Sequence, residues 1–174
     1  TRKYVLLTQR NTNDDTTAIN GIAPKTYNYL LENSNYLDSR KSIIYKKRPR
    51  FCIFGIGDYS FMPYKVIVSG LYKKINFALA SSIDNKTILL DDTCYSIGFE
   101  DKQNAKITCD VLNSEPVIKF IHSISFSDAK RNINKDLLMR INLESAAIEI
   151  GHEMLNISKE MFDNYISFLR SQTR

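Results

Sequence analysis

The spacing of the apolar residues changes at Glu100, and this change constrains the fold more than any other feature of the chain. Before it, aromatic and β-branched residues come in short runs interrupted by Gly55, Gly57 and Pro63, a pattern that suits strands and tight loops. After it, apolar residues recur at helical steps. Ala105, Cys109 and Leu112, then Val117, Phe120, Ile121 and Ile124, predict two helical pieces joined at Asn113-Ser114-Glu115-Pro116. Lys135 to Arg140 predicts a short helix. Ser145 to Leu169 predicts a long amphipathic one, with Ile150, Met154, Ile157, Met161, Tyr165 and Phe168 on one stripe.

In the first half, Tyr4-Val5-Leu6-Leu7 reads as a strand and the polar tract from Gln9 to Asn20 as a loop. A helix is expected from Pro24 to Ser42, with a break at Asn33-Ser34-Asn35. Phe51 to Ser69 reads as strands interrupted by a loop, followed by strands at Ile75 to Ser82, Thr87 to Leu90 and Tyr95 to Phe99, with a turn at Asp84-Asn85-Lys86. The expected class is α/β (α+β): a mixed twisted sheet flanked by helices, with a C-terminal amphipathic helix. With 174 residues and 43% hydrophobic content, the chain can bury one sizeable core. The expected division is residues 1–143 as one domain and 144–174 as a terminal helix that serves as spacer, self-association surface or dock.

Several classes of chemistry find no support. No basic-then-apolar leader precedes the first strand, and no run approaches the roughly 20 apolar residues that cross a bilayer, so the expectation is an intracellular fragment. Cys52, Cys94 and Cys109 are too few and too scattered for a disulfide framework or a zinc knuckle. His122 and His152 lack ligand partners at metal spacing, and no metal site is expected. The glycines of Ile53-Phe54-Gly55-Ile56-Gly57 could admit a cofactor only if a helix followed, and Asp58-Tyr59-Ser60-Phe61-Met62-Pro63 is not a helix start. No nucleophile sits in an elbow, so no catalytic residue is assigned. Asp128-Ala129-Lys130-Arg131 carries the acid and lysine of a magnesium-dependent nuclease, and Asp91-Asp92-Thr93 could be paired carboxylates, although a phosphate-contacting basic pair and a turn are the simpler readings.

The formal charge of +5 is spread unevenly: residues 1–90 hold 14 Lys+Arg against 6 Asp+Glu, and residues 91–174 hold 10 against 13. A basic half suits an acidic polymer as partner, and also serves solubility. Its densest part runs from Arg40 through Lys41, Lys46, Lys47 and Arg48 to Arg50, six basic residues in eleven with no acid. That density suits a phosphate backbone, because each neutralised phosphate releases condensed counterions. A solvated helix end is the plainer alternative. Tyr45, Tyr59, Phe61, Tyr64, Lys65, Tyr72, Lys73 and Lys74 then interleave rings and cations around glycines, residue types that stack on bases, bond phosphates or fill a core.

A family resemblance runs through the same residues. Arg40-Lys41-Ser42, Ile44-Tyr45-Lys46, Arg48-Pro49-Arg50-Phe51, Ile53-Phe54-Gly55-Ile56-Gly57-Asp58-Tyr59-Ser60-Phe61, Pro63-Tyr64-Lys65-Val66 and Ser69-Gly70-Leu71-Tyr72-Lys73 come in order. Asp91-Asp92-Thr93-Cys94-Tyr95, Leu112-Asn113-Ser114 and Asp128-Ala129-Lys130-Arg131 continue them. Together, over about Tyr4 to Leu143, they resemble the TaqI-like C-terminal specificity domain, the target-recognition domain of adenine-specific DNA methyltransferases in bacterial restriction-modification systems.

The resemblance implies a mixed α/β domain that lies along double-stranded DNA in a bacterial or archaeal cytoplasm, reads bases and clamps the duplex. An upstream catalytic domain would bind S-adenosylmethionine and methylate a flipped adenine. The Asp/Asn-Pro-Pro-Tyr/Phe motif of such a domain is absent here, so no cofactor is expected in this stretch. Arg40, Lys41, Lys46, Lys47, Arg48 and Arg50 are the first candidates for phosphate contact, with Lys65, Lys73, Lys74, Lys130 and Arg131 behind them. Tyr59, Ser60 and Tyr64 are the candidates for groups near bases. The alternatives are a magnesium-dependent nuclease and a protein-interaction domain whose basic surface only solubilises it.

Overall fold

A computed structural model describes residues 4–71, 74–125 and 133–172. The chain divides into two compact units, Thr1–Ser60 and Phe61–Arg174.

The first unit is built of short helices and irregular chain. Asp15 caps a single 3₁₀ turn, Thr16–Ala18, by accepting from the Thr17 amide at 2.9 Å. Helix α1 (Ile19–Ile22) leads to α2 (Pro24–Glu32), where Pro24 sits in the first turn and its missing N–H leaves no bond unmade. Asn33 interrupts the helix by donating its side-chain amide to the Tyr29 carbonyl at 2.9 Å. Helix α3 (Ser34–Asp38) follows, and α4 (Ile43–Lys46) is capped by the Ser42 hydroxyl. The expected helix from Pro24 to Ser42 is therefore broken where its Asn-Ser-Asn run predicts, and it ends early, at Asp38.

Helices this short do not hold themselves together. A seam of side-chain hydrogen bonds between residues 8–13 and 48–58 fastens the unit. The Thr8 hydroxyl donates to the Phe51 carbonyl at 2.7 Å. The Gln9 amide accepts from the Ile53 N–H at 3.1 Å and donates back to the Ile53 carbonyl at 3.4 Å. Thr12 donates to the Ile56 carbonyl at 3.1 Å, Arg10 pairs with Asp58 at 3.0 Å, and Arg48 donates to the Asn13 side chain. Thr8, Gln9, Phe51, Cys52 and Ile56 are buried along this seam. The polar tract expected as a loop from Gln9 to Asn20 is irregular only as far as Asp15, where its side chains supply the bonds a strand ladder would otherwise give; Thr16 to Asn20 form the 3₁₀ turn and the start of α1. Tyr4 to Leu7 does not form the expected strand: the segment has no regular secondary structure, and Tyr4 and Val5 stand exposed.

The second unit is a three-stranded sheet covered by helices. Strand β1 (Tyr64–Ser69) lies in the centre, with β2 (Ala78–Ser81) and β3 (Cys94–Phe99) antiparallel on either side. The register sets Leu79 and Ile97 opposite Val66. Val66 and Val68, two residues apart and so on one face, are buried, and α5 (Lys102–Leu112) packs on β1. Asp101 caps α5 by accepting from the Asn104 amide at 2.7 Å. Helices α6 (Glu115–Ile124), α7 (Lys135–Leu138), α8 (Leu143–Met154) and α9 (Lys159–Gln172) complete the unit. Ile107, Val111, Ile121, Ile133, Ala147, Ile150, Phe162 and Tyr165 share one core with the sheet.

The α+β class read from the sequence, a sheet flanked by helices with an amphipathic helix at the C-terminal end, is the observed one. Three details differ. The helix expected from Ser145 to Leu169 is two helices, α8 and α9, parted at a turn where Asn156 takes φ 53°, and α8 itself is kinked at Gly151 (φ 75°, ψ 162°). The strand expected at Thr87 to Leu90 is irregular. Asp84 and Asn85 both take positive φ, and Ile83 and Lys86 exchange hydrogen bonds of 2.9 Å across them, but pairing stops there. Between Phe51 and Ser69 only β1 is a strand.

Candidate nucleic-acid interface

The boundary at Ser60 divides the charge differently from the two halves of the sequence. Residues 1–60 carry 10 Lys+Arg against 5 Asp+Glu, and residues 61–174 carry 14 against 14, so the whole formal charge of +5 belongs to the first unit.

Within that unit the six cations of the basic run have different employments. Arg40 is half-buried, and its guanidinium donates from Nε to the Leu37 carbonyl at 2.7 Å, and from its two terminal nitrogens to the Cys52 carbonyl at 2.7 Å and the Arg50 carbonyl at 3.0 Å. The same group lies 3.9 Å from the centre of the Tyr45 ring. It clamps the end of α3, the segment 50–52 and α4 together. Arg50 forms a two-pronged pair with Asp38, with a shortest contact of 2.6 Å, and this guanidinium holds the Asp38 carboxyl below the ordinary carboxylate range. Arg48 is exposed and donates one nitrogen to Asn13. Lys41, Lys46 and Lys47 are exposed, with no acidic partner among the described residues. Long cationic stems of this kind reach phosphate without rearranging the protein.

The base-facing candidates also part company. Tyr59 is 53% exposed in the 3₁₀ turn Asp58–Phe61. Ser60 is buried, its hydroxyl accepting from the Gly57 amide at 3.4 Å. Tyr64 lies in β1 of the second unit and packs against the core there. Lys65, also in β1, is turned inward at 3% exposure. Its ammonium donates to the Met62 carbonyl at 2.9 Å and to the Thr87 hydroxyl at 2.7 Å, and burial pushes its pKa down. That lysine is structural, which strand alternation alone could not reveal. Lys74 is exposed. Lys73, Lys130 and Arg131 lie outside the described residues, as does Asp128 of the nuclease-like pattern.

Other candidate chemistry resolves into structure. Asp91 accepts from both the amide and the hydroxyl of Thr93, at 3.0 and 2.5 Å, and these bonds hold its carboxyl below its ordinary value. Asp91-Asp92-Thr93 is a turn. Asn113 of the Leu112-Asn113-Ser114 block clasps the Phe77 peptide from both sides, at 2.9 and 2.8 Å. The glycines at 55 and 57 are followed by the 3₁₀ turn rather than a helix N-terminus, so this loop does not fit the cradle that S-adenosylmethionine needs. Among the described residues no three His, Cys, Asp or Glu side chains gather as a metal site, and no helix is long and apolar enough to cross a membrane. Sequence reading missed the clamp role of Arg40, whose acceptors are main-chain carbonyls that side-chain identity does not reveal, and the pairing of Arg50, whose signal was Asp38 just before the basic run.

Comparison with known proteins relates this chain to the type II methyltransferases. Over 147 residues it is 44% identical to the Type II methyltransferase M.NspV of Nostoc sp. (strain ATCC 29411 / PCC 7524), a match that takes in 84% of this chain and 31% of that protein. The chain therefore spans well under half the length of this curated relative. No known protein-family profile matches it.

Proposed function

We propose that this chain is the DNA target-recognition part of a type II restriction-modification methyltransferase specific for adenine, and that it positions duplex DNA for a catalytic part that lies elsewhere in the enzyme. The observation that carries the reading is the net positive charge of the first unit, with Lys41, Lys46 and Lys47 exposed and unneutralised there. Similarity to a stretch of a methyltransferase supports it, as does the lack of any Pro-Pro catalytic motif in the sequence. Lys41, Lys46, Lys47 and Arg48 are the phosphate contacts in this reading, with Lys74, Lys73, Lys130 and Arg131 secondary; Arg40, Arg50 and Lys65 act by shaping the fold. Tyr59 remains the group best placed to approach a base. S-adenosylmethionine is the cofactor of the catalytic part, which works in the cytoplasm.

The test is a titration of the 174-residue chain with duplex DNA over a range of salt concentrations. The logarithm of the binding constant is expected to fall linearly with the logarithm of salt, at about 0.9 for each phosphate neutralised. Absence of binding at low salt, or affinity indifferent to salt, overturns the reading. Cleavage of plasmid by the chain with magnesium would favour the nuclease alternative instead.

A further inference from the structure

Phe54 is 56% exposed, while Cys52 and Ile56 on either side of it in sequence are 1% and 5% exposed. A phenylalanine left in water forfeits the burial that ordinarily places this residue type in a core. Its setting is neither loose nor terminal. On one side the Ile53 peptide is gripped by the Gln9 amide through two hydrogen bonds; on the other the Ile56 carbonyl is held by the Thr12 hydroxyl. Between those anchors the chain bends at Phe54 and Gly55, with Gly55 in the left-handed region at φ 72° and open space around it. The turn is therefore fixed at both feet and presents the ring outward at its tip. The cationic stretch is fastened to the same short segment at Arg48, through Asn13, the residue after Thr12. One strip of chain, residues 8–13, thus carries both the phosphate-seeking segment and the exposed ring.

From this juxtaposition we propose that Phe54 is a stacking group: with DNA held by Lys46, Lys47 and Arg48, its ring lies against base faces at an opened step of the duplex. The idea rests on the proposed function and deepens it. Every base has a π-face, so a rigid ring beside a cationic groove binds bases without needing a particular hydrogen-bond pattern, and apolar wedges inserted at a base step open it. Phe54 then contributes contact and distortion, while sequence reading falls to polar groups.

The chain contains no tryptophan, so Phe54→Trp installs a single indole reporter at the tip of the turn. When this variant is titrated with short duplex DNA of randomised sequence at low salt, its indole emission is expected to fall by at least half as the ring stacks. Phe54→Ala is expected to bind the same DNA about tenfold more weakly, with the salt dependence unchanged because no charge is removed. Both variants are expected to keep the parent's unfolding midpoint, since the ring is outside the core. Emission that ignores saturating DNA, or a Phe54→Ala variant that binds as tightly as the parent, overturns the proposal while leaving the proposed function standing. Emission that changes with protein concentration in the absence of DNA marks the ring as a contact between copies and overturns it also. If the unmodified chain binds no duplex at all, the proposed function fails and the stacking role with it.

Discussion

Arg40 and Lys46 carry the same formal charge on the same run of sequence, yet the fold uses them in opposite ways. Arginine's planar fork can serve several acceptors at once, and Arg40 spends it on three main-chain carbonyls of its own unit. An ammonium at that position could not satisfy three divergent acceptors, whereas an exposed lysine costs nothing to leave in water. Arg40→Ala is accordingly expected to lower stability by about 2 kcal/mol, read from the midpoint of denaturant unfolding, and Arg40→Lys to lose most of the same amount. Arg50 is similarly occupied by Asp38. A count of basic residues therefore overstates the charge a run can offer to a partner, because the count does not say which side chains the fold has already used.

Among the elements, α8 shows how much one glycine can decide. Gly151 sits at φ 75° and ψ 162°, a conformation that only glycine adopts comfortably, and nothing lies within 4 Å of where a β-carbon would be. Gly151→Ala therefore tests backbone strain without steric clash, and a loss of roughly 1–3 kcal/mol is expected in a thermal unfolding measurement. The α5–α9 contact makes a second test. Tyr165 is fully buried and bonds to the Thr108 hydroxyl at 2.8 Å, and burial pushes its phenol up to about 12. A folded-state pKa raised above the unfolded value near 10 means stability that is complete below pH 10 and lost as pH rises toward 12. Tyr165→Phe is expected to remove that alkaline loss, seen as a flatter stability profile above pH 10. The helical half was legible in sequence because Ala105 to Ile124 obeys helical periodicity, and the Asp101 cap of α5 and Pro116 in the first turn of α6 reinforce it. The kink in α8 and the break between α8 and α9 were not, because Ile150, Met154, Ile157 and Met161 keep helical spacing across the φ reversals at Gly151 and Asn156. Periodicity records which side of a segment is apolar and is blind to a φ reversal. The inward turn of Lys65 was hidden for a related reason: its acceptors, Met62 and Thr87, come together only in three dimensions.

For the whole molecule, charge and core are divided between the two compact units: the second is neutral in formal count and holds the large hydrophobic core, while the first carries the excess cations. Replacing Lys41, Lys46 and Lys47 together by alanine is expected to leave the unfolding midpoint nearly unchanged, because all three are exposed. The slope of DNA affinity against salt should fall by up to about 2.7 if each contacts a phosphate, and an unchanged slope in that titration places the contacts elsewhere. The side-chain seam between residues 8–13 and 48–58 has its own consequence for how such a molecule can change. A ladder between strands is made from groups every amino acid possesses, so its geometry survives most substitutions. Here the alignment of two irregular stretches is written into individual hydroxyls and amides: Thr8, Gln9 and Thr12 each hold one point of the opposite stretch. Exchanging any one of them releases one point and leaves the others fastened, which lets evolution or an engineer re-aim the turn at Phe54 by small independent steps while the sheet unit keeps its shape.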